Sequence, residues 1–207
     1  MTGPSPLTRE EPVLAWKRAQ VLLRADTSEV RFAGTVRSDL PYRGDDVFRC
    51  ERGHRRLDPA CSCGFYAVAE RQELRQSVMA TAVLRVALEG RVVRHRACLR
   101  AERQRVRLVV LNGWCSYCIA VATALAGVRT SWPELPPPWL RAVPVCGRHL
   151  GLYPVTMTDR QLAAATGAKV EWDRAGESRA SRSLRRVYGA APGENYLRAS
   201  VHQTGGG

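Results

Sequence analysis

Cys115-Ser-Tyr-Cys118, a connection of 27 residues, and Cys146-Gly-Arg-His149 constrain this chain more than any other feature. A Cys-x2-Cys pair followed by a Cys-x2-His pair has the spacing of a four-ligand zinc site. Zinc takes four soft or borderline donors in a tetrahedron, and a two-residue gap lets both side chains of a pair turn toward one ion. Two unrelated pairs of buried residues are the plainer alternative. Against it, paired spacing recurs and the second pair mixes Cys with His. Cys115, Cys118, Cys146 and His149 are therefore expected to bind Zn2+.

The chain holds seven Cys, an odd number, and pairs them with His. The N-terminus, Met1-Thr-Gly-Pro-Ser-Pro, has no basic stretch followed by an apolar one, so no secretory signal is expected. Together these point to metal binding in a reducing cytoplasm rather than to a disulfide framework. The longest apolar run, residues 119–128, is too short to span a bilayer, and no membrane partner is expected.

The formal net charge is +13, which favours an acidic partner. Lys occurs only at positions 17 and 169; the rest of the positive charge is Arg, which grips phosphate bidentately. Arg in place of Lys is also what a GC-rich genome encodes, so basicity alone does not decide the partner.

Along the chain, residues 1–12 hold three Pro and read as a flexible tail. Residues 13–23 and 30–36 are apolar segments that favour strands, although the first fits a helix too. Leu14, Trp16, Val21, Leu22 and Leu23 are expected in the core. Residues 65–76 read as a helix. Residues 78–111 are the strongest β region, with Gly90 as a bulge or turn. There, Val93, His95, Ala97 and Leu99 would share one face, and Arg94, Arg96, Cys98 and Arg100 the other. Residues 119–126 read as a short helix closed by Gly127, and residues 131–139 as a Pro-rich connection. Thr158 with Gln161 forms a capping box, Gly167 ends that helix, and residues 170–172 suit a short strand. Residues 173–186 read as a charged surface helix.

The expected fold class is α+β: a small antiparallel sheet with short helices, plus a zinc-finger-like module of treble-clef or ribbon type. The expected divisions are the tail at 1–12, an α+β domain at 13–112, the zinc module at 113–156, and a short helical C-terminal segment with a flexible tail at 157–207.

A second cluster lies upstream: Cys50, His54, Cys61 and Cys63, four donors within 14 residues. They suffice for a second Zn2+, although Cys-x-Cys is the less usual spacing. His95 complicates this set. It is either a ligand in place of His54 or a satisfied core histidine. Cys98, on the opposite strand face, reads as an ordinary Cys.

Cys50, His54, Cys61-Ser-Cys63-Gly-Phe-Tyr-Ala67, Gly90-Arg-Val-Val-Arg-His95 and Arg100-Ala-Glu102 together resemble a group of actinobacterial proteins with no assigned activity. Those carry a Cys, a His-x-Ala-Pro stretch, Cys-x-Cys-Gly-Ile-Tyr-Ala and a later Gly-x-Val-Val-x-His with Arg-Ala-Glu. The resemblance covers about residues 50–111. Arg56-Leu57 stands here where Ala-Pro would be, and Phe65 where Ile would be. It implies a zinc-bearing domain and a bacterial source, and it adds weight to His95 as a ligand.

Four-ligand sets leave no open position for a water, and there is no His-Glu-x-x-His or His-x-Glu with Pro-Cys-x-x-Cys. No nucleophile elbow, phosphate loop or dinucleotide fingerprint occurs either. An enzyme is not expected; a zinc hydrolase would need one site to be open. Arg94, Arg96, Arg100, Arg103, Arg105 and Arg107 would spread over one sheet face and are the expected nucleic-acid contacts. A solvated strand face is the plain alternative. Residues 162–167 followed by 179–186 also resemble a helix-turn-helix, although residues 170–173 interrupt it. The expected function is that of a zinc-stabilised, nucleic-acid-associated protein, a bacterial DNA-binding or transcription accessory factor. The alternative is an adaptor whose basic surface meets an acidic protein such as a transcription complex.

Overall fold

In the computed structural model, the described residues are 6–7, 11–34, 41–58, 60–75, 80–95, 97–118, 120–129 and 137–174. Among them the strands are β1 (Pro6–Leu7), β2 (Val13–Arg24), β3 (Val30–Gly34), β4 (Asp45–Val47), β5 (Phe65–Ala67), β6 (Ala82–Arg94), β7 (Leu99–Asn112), β8 (Ala124–Val128), β9 (Trp139–Val145), β10 (Thr156–Met157) and β11 (Lys169–Asp173). Helices are few: α1 (Gly147–Leu150), α2 (Asp159–Thr166) and one 3-10 turn at Arg71–Glu73.

All these strands belong to one sheet, whose main path runs β10-β8-β9-β2-β6-β7-β11. Every pairing is antiparallel except β11 on β7. The small sheet with short helices expected from the sequence is thus corrected to a large, curled sheet. The expected helix at 65–76 gives way to β5, because Phe65 pairs opposite Ala101 and packs against the core. The expected helix at 119–126 gives way to β8. Ala124, Leu125 and Ala126 are buried on both faces, and a strand covered on both sides shows no alternation to separate it from a helix.

The curl has a local cause. The segment between β3 and β6 is hydrogen-bonded to β7 through β4 and β5. On its other side, Val68 pairs with Trp16 of β2 and Tyr42 with Phe32 of β3. The sheet therefore closes on itself around Val21, Leu23, Phe32, Leu84, Val86, Leu88, Val106 and Leu111. Val21, Leu22 and Leu23 are buried as expected, whereas Leu14 is 48% exposed.

Lys17 points into this closed part. Its ammonium lies 3.1 Å from Gln104 Oε1 and 4.5 Å and 5.5 Å from the ring centres of Tyr42 and Phe65. Desolvation brings its pKa down to about 7. Below pH 7 folded and unfolded chains both carry the proton, and the fold bears the cost of enclosing a cation. Between about 7 and 10.5 the unfolded chain binds more protons, so stability rises with pH and levels off above that window. Lys17→Met is expected to remove this slope and to raise stability at pH 6.5 by on the order of 2 kcal/mol, allowing for the half-buried side chain. Denaturant midpoints of both proteins at pH 6.5 and 9 check this; parallel pH profiles would refute it.

β6 and β7 form a hairpin, and beyond the end of β6 the His95 N–H donates to the Cys98 carbonyl at 2.8 Å. His95 thus lies past the strand end, not on the inward face of a strand. Gly90 is the expected bulge, at φ 73°, where the register shifts between Glu89 and Val92. A second shift leaves Arg107 without an opposite residue, and the strand's alternation changes phase there. Downstream, the Thr158–Gln161 capping box and Gly167 at φ 66° delimit α2 as the sequence indicates. α2 then leads into β11 rather than a second helix. The recognition-helix candidate at 179–186 lies outside the described residues, as do 131–136 and most of 173–186.

The sheet crosses the expected divisions. β9 pairs with β2 at Leu22–Arg24, and Leu125, Ala142 and Met157 enter the main core. Within residues 1–12, Pro6 and Leu7 pair with β6.

Candidate metal centres

Two groups of donors come together: Cys115, Cys118, Cys146 and His149, and Cys50, His54, Cys61 and Cys63. Within each group all donor atoms lie within 4.8 Å of one another.

The downstream group is built from a knuckle, a hairpin and one helical turn. Trp114 pairs with Val121, and Cys115 N–H donates to the Ala120 carbonyl, which folds residues 115–118 into a tight loop. β8 and β9 form the hairpin, and β9 delivers Cys146 at the head of α1. Three residues on, His149 lies on the same side of the turn. Ala124, Ala126 and Val145 back the site, with Tyr117, Leu150 and Tyr153 partly covering it. The Tyr117 ring stacks on Tyr153 and lies 5.6 Å from the ring centre of His149. Tyr117 and Tyr153 therefore pack against the donors of this site.

Donor distances test the fit to a tetrahedral ion. With bonds of about 2.3 Å to sulfur and about 2.05 Å to nitrogen, neighbouring sulfurs lie about 3.8 Å apart and sulfur and nitrogen about 3.6 Å. In the downstream group, Cys118 Sγ to Cys146 Sγ is 3.5 Å, and His149 Nδ1 lies 3.5 Å from Cys115 Sγ and 3.4 Å from Cys146 Sγ. In the upstream group, Cys50 Sγ is 3.8 Å from Cys61 Sγ, and His54 Nδ1 lies 3.4 Å from Cys50 Sγ and 3.9 Å from Cys63 Sγ. A disulfide needs about 2.05 Å, so both groups match tetrahedron edges and hold free thiols.

The thiols are unequally disposed to ionise. Burial opposes a Cys146 thiolate, but the His149 backbone N–H and side chain and the neighbouring thiols outweigh it and bring the pKa down to about 6. Burial pushes Cys118 up to about 11. Upstream the same division recurs. Cys50 is lowered, where hydrogen bonds from residues 52 and 54 overcome burial, while burial raises Cys63. In each group one thiol is thus easier to ionise than its neighbour, Cys146 against Cys118 and Cys50 against Cys63.

The structure places His54, not His95, with the upstream thiols. His54 Nε2 faces Asp58 at 3.5 Å, so a carboxylate orients the ring whose Nδ1 meets the thiols. The upstream loop itself is held by residues that sequence spacing does not connect to it. Leu57 is 1% exposed. Its N–H donates to Glu102 Oε1 at 2.8 Å, and its carbonyl accepts from Arg91 Nη1 at 3.2 Å. The other Glu102 oxygen accepts from the Arg91 backbone N–H, at the Gly90 bulge. Arg100 donates through Nη2 to the Asp58 carbonyl at 2.8 Å and through Nη1 to the Cys61 carbonyl. Gly64, at φ 108°, must be glycine: a Cβ there would sit 2.5 Å from Leu57 Cδ1 and 3.0 Å from Arg100 Cγ.

Arg100, 1% exposed, is therefore a support of the upstream donor loop and is corrected from an expected nucleic-acid contact. Two others are neutralised: Arg103 and Arg105 each meet Asp45 at 3.0 Å. Arg94 and Arg107 are exposed, and Arg96 lies outside the described residues.

The fold and its two donor groups define a sheet protein with two candidate metal centres. No family model, no curated protein and no solved structure matches the chain. No helix among the described residues is long and apolar enough to cross a membrane.

Proposed function

We propose that this is a zinc-stabilised nucleic-acid-binding protein, a DNA-binding or transcription accessory factor of a bacterial cytoplasm. Thiolate and imidazole donors at tetrahedral spacing suit Zn2+ better than the hard cations, which take oxygen ligands. Knuckle, hairpin and helical turn, in that order, give the downstream site a treble-clef character. With three Cys and one His each, both sites are closed, so their work is to hold the scaffold rather than to activate a water.

The observation that carries the nucleic-acid reading is the charge. The sequence has 32 Lys and Arg against 19 Asp and Glu. Arg forks match phosphate oxygens in pairs, and an excess of this size draws a polyanion. Retention of the purified protein on duplex DNA should weaken steeply and linearly in log salt. Metal analysis should return two zinc ions per chain. A protein that passes through duplex DNA at low salt, yet co-purifies with an acidic protein after nuclease treatment, would be an adaptor instead.

A further inference from the structure

The arginines of this protein are not equally available. Besides Arg103 and Arg105, Arg24 is paired with Asp26, Arg31 with Glu29 and Arg71 with Asp173. Four others stand within eight residues around the upstream donors: Arg49, Arg52, Arg55 and Arg56. All four are exposed, and none has an ion pair among the described residues. The loop that carries them is anchored beneath by Arg91, Arg100 and Glu102, so its guanidinium groups project from a fixed base.

A cavity of about 230 Å³ opens at this place, lined by Arg49, Cys50, Glu51, Arg52, Cys61, Ser62 and Cys63. That is below the roughly 300–1,000 Å³ of pockets that enclose whole small molecules. It suits a single compact anionic group that continues outward into a larger chain. Two arginines and the Ser62 hydroxyl supply donors. Glu51, the acidic residue of the lining, is itself engaged.

We propose that the rim of the upstream metal site is the surface that grips the nucleic-acid backbone. A phosphate sits in the cavity between Arg49 and Arg52, and Arg55 and Arg56 meet neighbouring phosphates. A tetrahedral phosphate presents oxygens to two forks at once, whereas one planar carboxylate satisfies a single fork. The upstream site would thus position the binding loop, and the strand face formed by Arg103 and Arg105 would not bind. This inference rests on the nucleic-acid reading above and locates it.

The test is binding of the full chain to a short labelled duplex DNA over a range of salt. It compares the wild type with a variant carrying Arg49→Gln, Arg52→Gln, Arg55→Gln and Arg56→Gln, and with a second carrying Arg103→Gln and Arg105→Gln. The four-site variant should keep its zinc and lose on the order of 100-fold in affinity at low salt. Its log-affinity against log-salt slope should shrink by about 3, close to the limit for four phosphate contacts. The two-site variant should bind like the wild type. Wild-type binding with an unchanged slope in the zinc-loaded four-site variant would overturn the location while leaving nucleic-acid binding intact. Failure of the wild type to bind at low salt would sink the functional reading itself. Tight binding of poly-glutamate that the four-site variant loses, with no DNA binding, would assign the rim to an acidic protein and overturn the phosphate assignment.

Discussion

Replacing Arg100 with Met should cut the bound zinc from two ions per chain to one and lower the thermal midpoint by roughly 10 °C. The guanidinium is 1% exposed and donates to the carbonyls of Asp58 and Cys61, the two residues that turn the loop into Cys61. Met fills similar space but donates nothing. One buried and one half-buried carbonyl then lose a charged donor, at a cost of about 3–5 kcal/mol. The sheet beneath is held by its own core, so the protein should still fold.

Charge couples Arg100 to the metal as well. No carboxylate among the described residues forms an ion pair with this buried cation. Three thiolates and one Zn2+ carry a net charge of −1, and that cluster lies across the loop from the guanidinium. With neutral thiols the cation would have no counter-charge, so Arg100 and the upstream metal should stabilise each other. Arg100→Lys, which keeps the charge but loses the fork, should fall between the wild type and Met in zinc retention against a chelator. Two zinc ions and an unchanged midpoint in Arg100→Met would refute the support role.

The two groups of Cys and His donors were legible in the sequence because their spacing is local. Cys115 with Cys118 and Cys146 with His149 each sit within one turn of chain, and the same holds for the capping box from Thr158 to Gln161. What supports the upstream site was legible only as a pattern. Gly90-Arg91 and Arg100-Ala-Glu102 stand far from Cys50 in sequence, and only the β6–β7 pairing brings Glu102 and Arg91 to Leu57. Alternation placed Arg100, Arg103, Arg105 and Arg107 on one wet face. It had no access to Asp45, which β4 brings opposite Arg105, nor to the phase change at Arg107. Alternation puts His95 on an inward strand face, but β6 ends at Arg94 and His95 lies beyond it. β8 reads as a helix from its sequence for a general reason: a strand buried on both sides and a buried helix have the same composition over five residues.

Removing metal from the downstream site should unfold far more than the site. The apolar residues that back it are small: Ala124, Ala126 and Val145, with Cys115 and Cys146 completing the cluster. Two alanines and a valine under partly buried Tyr117, Leu150 and Tyr153 make a small nucleus, and zinc in such modules supplies about 10–16 kcal/mol. That equals or exceeds the whole stability of an ordinary domain, about 5–15 kcal/mol. The hairpin is no appendage, because Leu125 and Ala142 belong to the main core and β9 pairs with β2. Its release would open that core along Leu22 to Arg24. The upstream donors are buried to a similar degree, but a cavity of about 230 Å³ lined by Cys50, Cys61 and Cys63 opens beside them. A chelator at neutral pH should therefore take zinc in two phases. The fast phase, from the upstream site, should leave the sheet's circular dichroism nearly unchanged. The slow phase should coincide with its collapse. Cys146→Ser should abolish the slow phase by preventing folding, and Cys50→Ser should remove only the fast one. Zinc release in one step with the sheet intact would show that the downstream ion is dispensable to the fold.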